Sequence, residues 1–226
     1  MPKNNNLEEI LRSYLIAVVV LLSGCAAQVA TVNVPGIERS VPARITDLRP
    51  EKEKQSEIFS LLVTSDAYAT YRVPDSAVVP PATRLFQHRA FEKLGADSGP
   101  LEIKVHHLVV YRNLQAELRR GALGAAFGGV IGAVVAGQIK AEPSGIVTSL
   151  VDPKAFEALT ETEFKRALYT EQENPGRGSV HIVYIETEMQ GKRAFTRTIV
   201  PIKSNTEESP LVSALNAATA FHLTQY

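Results

Sequence analysis

Apolar and polar positions along this chain fall into short blocks separated by proline, glycine and charged residues. Positions 41–48 alternate at the period of a strand, ended by Asp47-Leu48-Arg49-Pro50, and 67–73 is a second extended, tyrosine-rich segment bounded by Pro74. Between them, Glu51-Lys52-Glu53-Lys54-Gln55 reads as a solvated turn. Pro80-Pro81 opens a helix and Gly95 closes it, with Leu85, Phe86, Ala90 and Leu94 at helical spacing as the inward face. Positions 101–111 predict a half-buried strand. Leu101, Ile103, Val105 and His107 share one face, and Glu102, Lys104 and His106 the other.

The C-terminal half repeats the pattern. Asp152-Pro153 joins an N-cap residue to a proline at the first helical position, which predicts a helix from 153 to about 170. A loop follows over 171–178. The β-rich runs 179–189 and 194–203 flank Gln190-Gly191-Lys192-Arg193, a glycine-containing hairpin connection. Ser209-Pro210 starts a last helix in which Leu211, Leu215, Ala218 and either Phe221 or His222 face inward. This order predicts an α+β fold with a mostly antiparallel sheet and helices packed on one face. A single domain over 41–226 accommodates it.

Two apolar stretches stand outside that alternation. The first, 14–22, is too short to span about 30 Å of hydrocarbon, and Lys3 and Arg12 precede it, as in a secretory signal. It runs into Leu22-Ser23-Gly24-Cys25, which resembles the lipobox of bacterial lipoproteins and contains the chain's one cysteine. The resemblance implies a signal peptide over 1–24 and a lipidated Cys25 as the first mature residue. Because Ala26 follows rather than aspartate, it also implies the outer membrane, facing the periplasm. Several acyl chains on one residue anchor stably, since each buried CH₂ contributes about 0.8 kcal/mol. Residues 25–40 then read as a lipidated tether.

The second stretch, 121–139, carries no charge. At four-residue spacing, Gly121, Ala125, Gly129, Ala133 and Gly137 form one row, and Gly124, Gly128, Gly132 and Ala136 form its neighbour. This glycine-rich insertion, at about 114–140, resembles a glycine zipper, in which backbones approach closely across small residues. Glycine inside a helix costs roughly 1 kcal/mol relative to alanine, so such a helix needs a partner surface. Three readings stay open: packing within the fold or an oligomer, contact with the membrane surface, and a membrane span.

Removal of 24 residues from 226 leaves 202, enough for one well-buried domain. The 24 basic and 24 acidic residues balance, which argues against a nucleic-acid partner. A lone cysteine permits no intrachain disulfide.

Candidate chemistry is sparse. The histidines are His88, His106, His107, His181 and His222. His106 and His107, adjacent on a strand, point to opposite faces. His107 and His181 could meet across a sheet, yet no cysteine or carboxylate cluster completes a metal site there. No Gly-x-Ser-x-Gly elbow or Gly-Lys-Ser/Thr phosphate loop occurs. Glu186 and Glu188 share a face that reads as solvated, and Asp47 and Arg49 read as a local ion pair. The expectation is therefore no catalytic residues, no metal and no cofactor.

The lipobox, a first strand ending in Asp47-x-Arg49-Pro50, a proline-started helix ending Leu94-Gly95, a strand, a hairpin and a terminal helix together are similar to the YajG-like family of lipoproteins. The layout resembles, more loosely, the lipopolysaccharide-transport accessory subunit. With a lipobox and no catalytic constellation, the reading is a membrane-anchored, non-catalytic binding or assembly subunit that uses its sheet edge or helix face on an envelope protein or lipid partner. The alternative is a homo-oligomeric, membrane-modifying lipoprotein acting through the 121–139 face.

Overall fold

The computed structural model describes residues 29–40, 43–62, 68–95, 101–115, 117–118, 140–141, 145–170, 173–174, 178–203 and 207–226. The expected signal peptide, Cys25 and the glycine row Gly121, Gly124, Gly128, Gly129, Gly132 and Gly137 lie outside the described residues.

The strands are β1 (Ala30–Thr31), β2 (Arg44–Asp47), β3 (Glu57–Leu62), β4 (Tyr68–Val73), β5 (Val78–Val79), β6 (Glu102–Asn113), β7 (Glu117–Leu118), β8 (Lys140–Ala141), β9 (Val147–Leu150), β10 (Tyr169–Thr170), β11 (Val180–Met189) and β12 (Lys192–Pro201). The α-helices are α1 (Ala82–Leu94), α2 (Pro153–Ala158) and α3 (Pro210–Leu223). One sheet runs in the order β3-β4-β6-β11-β12-β9-β8 with antiparallel neighbours throughout. β2 adds a parallel pairing to the first half of β6. The α+β class with a mostly antiparallel sheet is thus as the residue pattern predicts.

The sheet buries both faces. Against one face α1 and α3 pack Phe86, Ala90, Leu215 and Ala218 onto Ile103, Val105, Leu108, Val110, Val183 and Ile185. Against the other, α2 and the 3-10 helix Thr160–Ala167 cover Val109, Tyr111, Ile182, Tyr184, Phe195 and Ile199 with Phe156 and Leu159. Phe156 makes edge contacts with Tyr184 and Phe195 at centroid distances of 5.2 and 4.7 Å. Of the alternatives for α3, His222 faces in, fully buried, and Phe221 is half-buried.

Several expectations need correction. The half-buried reading of 101–111 holds through Val105 and then fails, because a bulge between Glu186 and Thr187 on the partner strand leaves His106 unpaired. One extra residue reverses the alternation. His107 therefore lies opposite Val105, on the face of Val109 and Tyr111, against Phe156 and Phe195. The helix expected over 153–170 stops at Ala158, continues as a 3-10 helix and ends in β10. Its start is as expected, since Asp152 Oδ1 accepts from the Ala155 amide at 2.9 Å. The hairpin turn is tighter than expected: Gln190 and Gly191 alone form it, at φ 52° and 72°, the left-handed pair of a type I′ turn.

The expected span 25–40 of the tether overlaps folded chain. Residues 30–40 are part of the folded body: β1 pairs parallel with β5, and Ala30, Val32 and Val34 pack on the core. Gly95 closes α1 without a left-handed φ; its missing side chain makes room for Phe91, whose carbonyl oxygen would sit 2.7 Å from a Cβ there.

Candidate functional site

Charged side chains gather where short helical segments meet the sheet. β2 and β4 share one edge of β6, β2 along Glu102–Val105 and β4 along Val110–Asn113. The gap leaves the Leu108 carbonyl without a strand partner. Arg49, which is 5% exposed, fills it: Nη1 donates to Leu108 O at 3.1 Å, and the guanidinium holds Asp47 and Asp75 at 2.6–2.9 Å. Burial alone would raise the Asp47 carboxyl, but the Arg49 hydrogen bonds override it and hold Asp47 below its ordinary value. The Asp47–Arg49 pair is thus the expected ion pair, and it closes a seam in the sheet.

The histidine-centred cluster lies on the α2 side of the sheet. His107 Nδ1 meets Glu53 Oε1 at 2.7 Å, and Nε2 lies 3.6 Å from Glu186 Oε2. The ring stacks on Phe195 at 5.7 Å and meets the Phe156 edge at 4.9 Å. Glu186 Oε1 accepts from Arg193 Nε at 2.6 Å. The Arg166 guanidinium lies 3.7 Å over the Phe156 ring, and its Nη1 is 3.9 Å from Glu53. Two expectations fall here: Glu53 and Glu186 are each 1% exposed, so neither the 51–55 turn nor the Glu186 face is wholly solvated. Only Glu188 is partly open, paired with Lys104 at 2.8 Å.

Two further pairs hold the same face. Arg72 joins Glu57 and Glu163, and Tyr111 donates to Glu163 at 2.8 Å. Arg197 joins Glu173 and donates to Leu168 O at 2.9 Å. Burial would raise both Glu163 and Glu173, but their arginine partners hold them below the ordinary range. Burial pushes the Tyr111 hydroxyl well up.

On the other face His222 bridges the hairpin. Its Nε2 meets Thr187 Oγ1 at 2.7 Å and its Nδ1 meets Thr196 Oγ1 at 2.8 Å. Tyr226 donates to Thr187 O at 2.7 Å. A hydroxyl beside imidazole has the makings of a nucleophile. Yet His222 and Thr187 are 0% exposed and Thr196 1%, so no substrate reaches them. This arrangement is a clip that fastens α3 to β11 and β12. Burial drives the His222 pKa down to about 3, and that of His181 likewise.

The remaining histidines do not converge. His181 lies opposite Arg112 on the α3 side, and His107 is on the far face. His88 contacts Glu92 at 3.2 Å within α1, and His106 lies 3.6 Å from Glu188. Among the described residues, no group of three metal-ligating side chains forms.

Among the described residues, one exposed apolar feature is a sheet edge. β3 ends the sheet, and its Ile58 and Leu61 are 61% and 64% exposed. A register shift between Ile58 and Ser60 puts both on the face of Tyr71 and Ala69, and it turns Phe59 the other way, against Tyr111 at 6.0 Å. The strand 57–62 was not expected from the residues, because Ile58-Phe59-Ser60-Leu61-Leu62 does not alternate, and nothing in them marks an edge strand. The buried charges had a signal: Arg72, Glu186 and Arg197 each interrupt an apolar strand run.

Compared with known proteins, the chain matches no family, no curated protein and no solved structure.

Proposed function

We propose that this chain is a lipid-anchored lipoprotein of the bacterial envelope, held through Cys25 in the outer membrane and facing the periplasm. In this reading it is a non-catalytic binding or assembly subunit that presents the β3 edge to an extended segment of an envelope protein. The observation that carries the reading is that edge, a terminal strand with two large aliphatic side chains exposed on one face. An uncovered edge invites strand addition, in which backbone hydrogen bonds supply affinity and side-chain pockets supply selectivity. The charged clusters support the reading from the other side, since Glu53, Glu163 and Glu173 hold short segments to the sheet. Among the described residues no helix is long and apolar enough to cross a membrane.

The test is a photo-crosslinking residue at position 58 or 61 of the lipidated protein in intact envelopes, with position 92 on the exposed side of α1 as control. A discrete adduct from 58 and 61 but not from 92, lost on Leu61→Lys in the 58-labelled protein, is the expected result. No adduct, or the same adduct from all three positions, rejects the edge as the docking strand.

A further inference from the structure

The folded body begins very close to the proposed lipid. Val32 N donates to Val79 O at 2.8 Å, Ala30 pairs with Val78 and Thr31 with Val79, so the chain is fixed to the domain from Ala30 onward. Four residue steps separate Cys25 from Val29, and at about 3.6 Å per step they reach no more than ~14 Å whatever their path. The headgroup layer of one leaflet is itself about 5–8 Å deep. Val29 therefore cannot stand far above the membrane that holds Cys25.

The surface at that point is apolar. In the two-stranded ribbon β1–β5, Ala30 and Val78 face the core, and Val78 is 3% exposed. Alternation puts Val29, Thr31 and Val79 on the opposite face. Val29 is 48% exposed and Val79 49%, two of the six large hydrophobic side chains exposed among the described residues. Glu38 and Arg39, the exposed charges of the 3-10 helix Ile37–Ser40 that follows β1 in the chain, are one of each sign. The adjacent acid, Asp75, is already held by Arg49.

We infer that the exposed face of the β1–β5 ribbon, Val29, Thr31 and Val79, rests in the headgroup layer of the membrane that anchors Cys25. The domain then lies against the bilayer in one orientation and does not swing on a tether. This inference rests on the lipidation of Cys25 proposed above. It also leaves β3, a strand of the large sheet in which the ribbon strands take no part, available to a protein partner.

The chain has no tryptophan, so a single introduced one reports its own surroundings. Val79→Trp, Val29→Trp and Ile58→Trp are made in the full-length chain, purified with the native modification, and reconstituted in vesicles of brominated phosphatidylcholine. Intact mass first establishes whether Cys25 carries acyl chains. With the lipid present, Val79→Trp and Val29→Trp emission falls by about half and shifts to the blue, as for side chains at headgroup depth. Ile58→Trp, equally attracted to an interface as a residue, stays unquenched. Quenching equal at positions 58 and 79, or absent at both 79 and 29 in the lipidated protein, overturns the ribbon placement while the anchor stands. An unmodified Cys25 overturns the anchor itself, and the inference with it.

Discussion

Mild acid weakens this fold through two buried histidines. His181 is 3% exposed and His222 fully buried, and burial lowers both pKa values from 6.5 to about 3, with the Arg112 charge adding to the shift at His181. A folded pKa below the unfolded one means the unfolded chain binds more protons between those two values. The stability is therefore complete above about pH 6.5 and drains away as the pH falls. One unit below, at pH 5.5, each histidine costs about 1.4 kcal/mol, so the pair costs about 3. The carboxyls of Asp47, Glu163 and Glu173 are held below ordinary values of 3.8 and 4.5, so their losses begin only at lower pH. Urea unfolding followed by circular dichroism at pH 7.5 and 5.5 reads the difference. With a slope of about 2 kcal/mol per molar urea, the midpoint drops by about 1.5 M. His222→Gln replaces the imidazole by an amide that offers Thr187 and Thr196 one donor and one acceptor but does not titrate, and it halves the drop. An unchanged wild-type midpoint, or a full drop in His222→Gln, refutes the assignment of acid sensitivity to these two buried rings.

Arg49→Met strands Asp47, Asp75 and the Leu108 carbonyl together, and the expected loss is about 3 kcal/mol by urea unfolding, since removing one partner leaves uncompensated polar groups behind. Gly95→Ala destabilises by about 1–3 kcal/mol in the same assay, because the new Cβ would meet the Phe91 carbonyl at 2.7 Å and the ring at 2.6 Å. Glu173→Leu leaves the fully buried Arg197 without its counter-charge and costs about 3–5 kcal/mol, whereas adding Arg197→Met restores stability to within about 1 kcal/mol of the parent.

The elements with a repeating period were legible in the residues. α1 and α3 appear between their proline starts and their ends, the β11–β12 hairpin forms around Gly191, and Asp152-Pro153 caps α2. What escaped was set by contacts distant in sequence. The His106 bulge depends on how β11 registers against β6, and no local pattern encodes that register. Glu53 sits in a run of four charged residues and still becomes buried, because its partner His107 lies 54 positions away. The helix after Ala158 gives way to 3-10 geometry as Arg166 turns under Phe156 and Glu163 reaches Arg72. The residues proposed for function divide in the same way: Cys25 was visible as a motif, while the β3 edge existed only once the strand order was known.

The distribution of buried charge explains how a sheet with such short covering segments keeps one arrangement. The α1–α3 side is closed by two helices of 13 and 14 residues that bury Leu85, Phe86 and Ala90 and Val212, Leu215 and Ala218. The other side is closed by a six-residue helix and pieces of 3-10 helix, which supply few large apolar groups. Apolar contact alone would let such pieces slide, because it is not directional. Three covering segments are instead tied by buried polar pairs to a named strand: the 51–54 helix through Glu53 to His107 of β6, the 160–167 helix through Glu163 to Arg72 of β4, and the 173–174 turn through Glu173 to Arg197 of β12. Such pairs add little net stability over hydrophobic replacements, and their geometry permits one register. The near-neutral double replacement of Glu173 and Arg197 is the consequence for stability. A looser 173–174 turn in that variant, seen as faster amide exchange at Thr170 and Glu173 while the β11–β12 amides stay protected, is the consequence for specificity.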